Sequence, residues 1–97
     1  MRKKMTDEEI VAALPKLAGW KLKDGKLHRE FKFPGFKQAM DFMQSAVAGI
    51  EKLDHHPEWS NVYNRVTVDL NTHDAGGITT KDFELGELLE ELSKRVL

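Results

Sequence analysis

His55, His56 and Pro57 are consecutive and His73 lies sixteen positions beyond the proline, so three of the four histidines fall in one short region. Imidazole has an ordinary pKa close to neutral pH and can both give and take a proton there. Two such rings flanking a substrate can run general acid–base chemistry without a metal or a cofactor. The chain contains no cysteine, which removes thiolate nucleophiles, Cys-ligated zinc and disulfides. It also lacks a Gly-rich phosphate loop and a nucleophilic-serine signature. The three histidines are therefore the best candidates for chemistry. Plainer roles remain open to them, because a histidine that ends a helix is often only a cap and one that ends a strand is often only solvated. Three histidines can also hold a catalytic zinc, although adjacent side chains diverge and no helical HxxxH pair is present.

The elements that must position these rings can be read from periodicity and caps. Thr6 to Glu9 forms a capping-box pattern, and Ile10, Ala13, Leu14 and Leu17 recur at helical spacing, predicting a first helix that ends near Gly19. Trp20 to Lys23 and Lys26 to Phe33 alternate around Asp24-Gly25, a hairpin signal. Leu27, Phe31 and Phe33 share one face of the second strand, and Lys26, His28, Glu30 and Lys32 the other, so His28 reads as a solvated strand residue. After Pro34-Gly35, an apolar stripe of Phe36, Ala39, Met40, Met43, Val47, Ile50 and Leu53 predicts a second helix ending near His55. Its two methionines read as core filling. Trp59 to Tyr63 and Arg65 to Thr72 read as two more strands, with Val66, Val68 and Leu70 on one side. Thr79 to Asp82 starts a last helix, with Leu85, Leu88, Leu89, Leu92 and Val96 on one face. Asp82 reads as the acidic member of its capping box. The order α-β-β-α-β-β-α predicts an α+β fold in which helices cover one face of a four-stranded antiparallel sheet.

On this reading His55 and His56 sit at the C-terminal end of the second helix, whose dipole favours a cationic imidazole. Glu51 and Asp54 are placed to act on His55 in the same sense. His73 falls at the far end of the fourth strand, before Gly76-Gly77, which puts the site at an open rim.

Composition bounds the partners. Ninety-seven residues, 40% hydrophobic and 32% charged, fit one globular domain spanning 1–97. Fifteen basic and sixteen acidic residues leave a net charge of −1, which argues against electrostatically driven nucleic-acid binding. The one basic cluster, Arg2-Lys3-Lys4, reads as a solvated tail. No apolar run suits a membrane span or a signal peptide, so the expectation is a cytoplasmic protein that uses no membrane.

The segment from Glu51 through Asp54, His55, His56, Pro57, Glu58 and Trp59, then Tyr63-Asn64, Thr72-His73-Asp74 and Asp82, resembles the pterin-4a-carbinolamine dehydratase family. Gly19-Trp20, the Phe31-Lys32-Phe33 strand and the Phe36 to Met43 helix extend the likeness over nearly the whole chain. The resemblance implies removal of water from 4a-hydroxytetrahydropterin to give quinonoid dihydropterin, in tetrahydropterin recycling beside an aromatic amino-acid hydroxylase. Carried over by position, it implies His55 and His73 as the acid/base pair and His56 as the group holding the substrate. It also implies a pterin site lined by Pro57 and Thr72-His73-Asp74-Ala75, with Trp20 nearby, and no metal or cofactor. Animal members act in addition as dimerisation cofactors of a homeodomain transcription factor, which sets a protein-binding role beside the enzymatic one. A related pterin-binding role, linked to molybdopterin or folate, would use the same pocket. Family members form homodimers, some pairing into homotetramers. Unpaired sheet edges and the leucines of the last helix, with Leu97 at its end, carry the same expectation of self-association here.

Overall fold

Thr6 starts the first helix as its sequence requires. In the computed structural model, which describes residues 3–96, its hydroxyl accepts from the Glu9 N–H at 3.1 Å, and the Glu9 carboxylate accepts from the Thr6 N–H at 2.8 Å. Arg2 and Leu97, invoked above, lie outside the described residues. The helix, α1 (Asp7–Ala13), is shorter than its apolar spacing predicts. Pro15 has no N–H to donate and its ring crowds the preceding turn. The chain tightens there into a 3-10 turn, Leu14–Lys16, which brings Leu17 into the core.

Strands β1 (Lys21–Lys23) and β2 (Lys26–Lys32) are joined through Asp24 and Gly25, both at positive φ (52° and 77°). That pair of left-handed residues matches the twist of an antiparallel hairpin. Helix α2 (Phe36–Leu53) follows, then β3 (Glu58–Val62), β4 (Arg65–Leu70) and α3 (Thr80–Arg95). A second 3-10 turn, His73–Ala75, lies between β4 and α3. The four strands form one antiparallel sheet in the order β1-β2-β4-β3. Leu27, Phe31, Val66, Val68 and Leu70 bury one face of it against the helices, and the other face is polar. The α+β class and the α-β-β-α-β-β-α order are those expected. β4 stops at Leu70, two residues short of expectation, because Thr72 pairs instead with Gly77 across the loop.

Two packing expectations need correction. The buried stripe of α2 is Ala39, Phe42, Ala46 and Ile50, whereas Phe36 and Val47 are about half exposed. The helix is apolar on two adjacent sides, and spacing cannot decide which of them faces the sheet. Met43 and Leu53 pack on the rim of the core. The leucines of α3 are also core: Leu85 and Leu89 are fully buried, and Leu88 and Leu92 pack against the core cluster. Leu88 and Leu92 keep part of their surface open, so most of this face is spent on the core.

α2 and α3 approach closely at Gly49, where a Cβ would stand 2.3 Å from Leu88 Cδ2. Gly49→Val would gain a few tenths of a kcal/mol in helix propensity but overpack this contact at a cost of about 1–3 kcal/mol. Urea denaturation should therefore show a net loss of stability. A variant as stable as the parent would mean that the Leu88 side chain swings aside to make room.

Candidate active site

His55 is placed by the way α2 ends. Asp54 takes a left-handed conformation (φ 51°, ψ 45°) that turns the chain off the helix axis. The N–H groups of Asp54 and His55 then cap the carbonyls of Glu51 and Ile50, at 3.1 and 3.3 Å. The Lys81 ammonium donates to the Leu53 carbonyl, fixing this helix end to the start of α3 with charge of the sign the dipole favours.

From there the His55 ring reaches inward. Its Nε2 lies 2.5 Å from Oδ1 of Asp82, which is fully buried, and the imidazole itself is only 10% exposed. Asp82 is also the acidic member of the α3 capping box, as its spacing predicted. Its Oδ2 accepts from the Thr79 N–H and from the Thr72 hydroxyl, both at 2.9 Å. Because Thr72 uses its one hydroxyl proton on Asp82, the Thr79 hydroxyl must be the donor in their 2.8 Å contact. A carboxylate only accepts, so Nε2 of His55 carries the proton. Nδ1 remains as the nitrogen with no other partner among the described residues.

The other two rings are exposed. His56 lies 3.6 Å from Glu51 and opens on a hollow of about 180 Å³ formed with Val47, Ile50, Glu51, Pro57 and Trp59. His73 begins the 3-10 turn after β4, 81% exposed, with Nε2 3.3 Å from Oε2 of Glu58. The hydrogen bond from Lys26, at 2.6 Å, is the main cause holding the Glu58 carboxyl below the usual carboxylate range, and the charge of Lys26 and the proximity of His73 add to it. These contacts close a circuit. The chain runs from His55 to Glu58, crosses to His73, steps back to Thr72 and returns through Asp82 to His55.

Several expectations change. Glu51 faces His56 rather than His55, and the partner of His55 is Asp82. Asp54 acts through its backbone turn, with its side chain exposed. Asp74 and Ala75 continue the turn from His73, Asp74 exposed and Ala75 half-buried. Trp20 is not brought to the histidines. It packs edge-on against Phe31 and donates its Nε1–H to Glu90 at 2.8 Å, about 12 Å further along α3 than Asp82. His28 is not an ordinary solvated residue either, since its Nδ1 meets Asp69 at 2.8 Å across the β2–β4 ladder and its side chain is 15% exposed. The reading of spacing gave Asp82 only its cap, because its second contact spans 27 positions. No local pattern marks the pairing of Glu58 with His73, which spans fifteen positions. Among the described residues, no three His, Asp or Glu side chains are grouped to hold a metal ion.

Asp82→Ala would remove the acceptor for three donors from a fully buried position, and should cost about 3–5 kcal/mol. Thr72→Val should cost about 1–3 kcal/mol. Because the two share one network, their effects in chemical denaturation should fall short of additive by about 1 kcal/mol or more. Strict additivity would show that the Thr72–Asp82 bond carries no coupling.

Comparison with known proteins gives a consistent family. Residues 3–92 match the family described as Pterin 4 alpha carbinolamine dehydratase. A Solibacter usitatus protein bearing the provisional name pterin-4-alpha-carbinolamine dehydratase is 52% identical over 93 residues, covering 96% of this chain and 98% of its own length. A Picosynechococcus protein with the same provisional name is 46% identical over 92 residues, covering 95% of this chain and all of its own. A Brucella melitensis crystal structure described as a transcriptional coactivator/pterin dehydratase is 42% identical, with a TM-score of 0.90 over 94% of this chain and 99% of that one. A pterin dehydratase-like protein described as a RuBisCO assembly factor in the alpha-carboxysome shares the fold, with a TM-score of 0.62 at 19% identity over 76% of this chain and 86% of that one.

Proposed function

The chain belongs to the pterin 4 alpha carbinolamine dehydratase family, and from that premise we propose that it removes water from 4a-hydroxytetrahydropterin to give quinonoid dihydropterin. The observation that carries the proposal is the His55–Asp82 pair, a nearly buried imidazole with one nitrogen committed to a carboxylate and the other left for substrate.

Loss of the 4a-hydroxyl needs a proton delivered to the departing oxygen and another removed from a ring nitrogen as the C=N bond forms. His55 is suited to the removal. Asp82 fixes its tautomer, so that Nδ1 presents a lone pair, and stabilises the imidazolium that forms, as an aspartate does for the histidine of a hydrolytic triad. His73 is suited to the delivery. It is exposed and can regain its proton from solvent, and the ionised Glu58 lies beside it. His56, on the hollow with Pro57 and Trp59, offers a polar contact and apolar surface to a flat bicycle. General acid–base catalysis of this kind supplies about 10²–10⁴-fold. The physiological role that follows is recycling of a tetrahydropterin beside an aromatic amino-acid hydroxylase, in the cytoplasm.

In a hydroxylase-coupled assay, the protein should speed formation of quinonoid product with or without chelator. His55→Ala and His73→Ala should each lower kcat by about 10²-fold. His56→Ala should mainly raise KM, and His28→Ala should leave kcat within about twofold. No acceleration over buffer would refute the proposal, and equal damage from the His28 change would refute the division of roles.

We also propose self-association, now on different residues. β3 is a sheet edge, and Val47, Val62 and Tyr63 are each more than half exposed. Sheet edges flanked by exposed apolar side chains are usually covered. Light scattering at micromolar concentration should give at least a dimer, and Val62→Lys should weaken it. A monomer mass for the parent would reject the proposal.

A further inference from the structure

The polar face of the sheet, away from the helices, carries a row of charge that ends at His73. The register sets Lys21 beside His28, His28 beside Asp69, and Asp69 beside Glu58, one residue from each strand. Asp69 and Glu58 are therefore like charges directly opposite one another, a destabilising arrangement unless each finds a partner. His28 meets Asp69 at 2.8 Å. Glu58 has no basic neighbour on its own strand, and its counter-charge comes from Lys26 of β2, which reaches across β4 to Oε1 at 2.6 Å. Two strand spacings are about 9.6 Å, a span that needs the full length of a lysine. With Oε1 held, Oε2 faces His73 Nε2 at 3.3 Å.

We infer that Glu58 is a positioning residue for His73 and that Lys26, reaching over β4, is what holds Glu58 in that role. The inference rests on the dehydratase reading for its effect on rate, but not for its geometry. Exposed ion pairs add little to folding stability, so the contact is better explained by what it orients. His73 sits in a short, exposed turn, and among the described residues its ring has no other recorded polar partner. A fixed carboxylate limits the orientations its ring can adopt. It does for His73 on the surface what Asp82 does for His55 in the interior.

Lys26 holds the Glu58 carboxyl below its usual range, with His73 acting in the same sense. The Lys26 ammonium is in turn held above its usual range by Glu58, with Asp69 and Asp24 adding to the effect. Glu58 is therefore ionised at neutral pH, and its hold on His73 is lost only as pH falls through its lowered pKa. Removing Lys26 should move that loss to higher pH.

The test uses the full chain carrying Glu58→Gln, Lys26→Met or Lys26→Arg, with Asp41→Asn as a surface control. Glu58→Gln should keep the parental melting midpoint yet lower kcat roughly 10-fold with little change in KM, the scale on which orienting partners of histidines act elsewhere. Added to His73→Ala it should cost nothing further. Lys26→Met should lower kcat in the same direction, Lys26→Arg should restore it, and the control should match the parent. Without substrate, the Glu58 carboxyl carbon followed by NMR should titrate higher in Lys26→Met, and the His73 ring signals should shift in Glu58→Gln. If the parent has no dehydratase activity, the functional reading fails while these two NMR measurements still decide the positioning. Unchanged His73 signals in Glu58→Gln, or a Glu58 effect that persists without His73, would overturn the inference.

Discussion

One buried carboxylate organises the site. Asp82 is fully enclosed, and a charge so placed is tolerated only when its oxygens are fully engaged. Its partners come from three separate parts of the chain: His55 just past α2, Thr72 just past β4, and the Thr79 backbone at the start of α3. Each is a place where an element ends and leaves polar groups to be satisfied. Asp82 serves all three, and so ties the end of α2 and the β4–α3 loop to the start of α3 and sets which way His55 points. Displacing α2 from α3, whose approach at Gly49 depends on a missing side chain, would also pull His55 away from its carboxylate.

All four histidines have a carboxylate neighbour, and burial separates their roles. The His55–Asp82 pair is enclosed, so its geometry is rigid and its electrostatics weakly screened. His56 with Glu51 and His73 with Glu58 are open to water, where attraction is more strongly screened. His28 with Asp69 belongs to the sheet ladder, joining β2 to β4. The sheet contributes more than a backing for the core, since its polar face carries Lys26 and Glu58 up to the edge of the site.

The architecture was legible because its signals are local. Capping boxes at Thr6 and Thr79, the Asp24-Gly25 turn and the Val66/Val68/Leu70 alternation each act within a few residues, and the helices and strands follow them. What was not legible depends on contacts between distant positions. The phase of α2 could not be read because Phe36 and Val47 extend its apolar surface beside Phe42 and Ala46. The early break in α1 at Pro15 is a local signal that apolar spacing outweighs. Trp20 was set near the histidines by family likeness, whereas its N–H satisfies Glu90, which Arg29 also meets at 2.7 Å. The histidines were recognised as the chemical groups, but not the carboxylates that orient two of them. A cap and an ion pair leave the same letter, Asp82, in the sequence, and only the fold shows that one residue does both.

The most direct measurement is the tautomer of His55 in the unliganded protein at neutral pH, from long-range nitrogen–proton correlations of the imidazole rings by NMR. If Asp82 holds His55 so that Nδ1 is free to take a proton from substrate, the ring must be the Nε2–H tautomer, and in Asp82→Asn that preference should disappear. A ring carrying its proton on Nδ1 in the parent protein would contradict it, because the nitrogen offered to substrate would then have no lone pair to give.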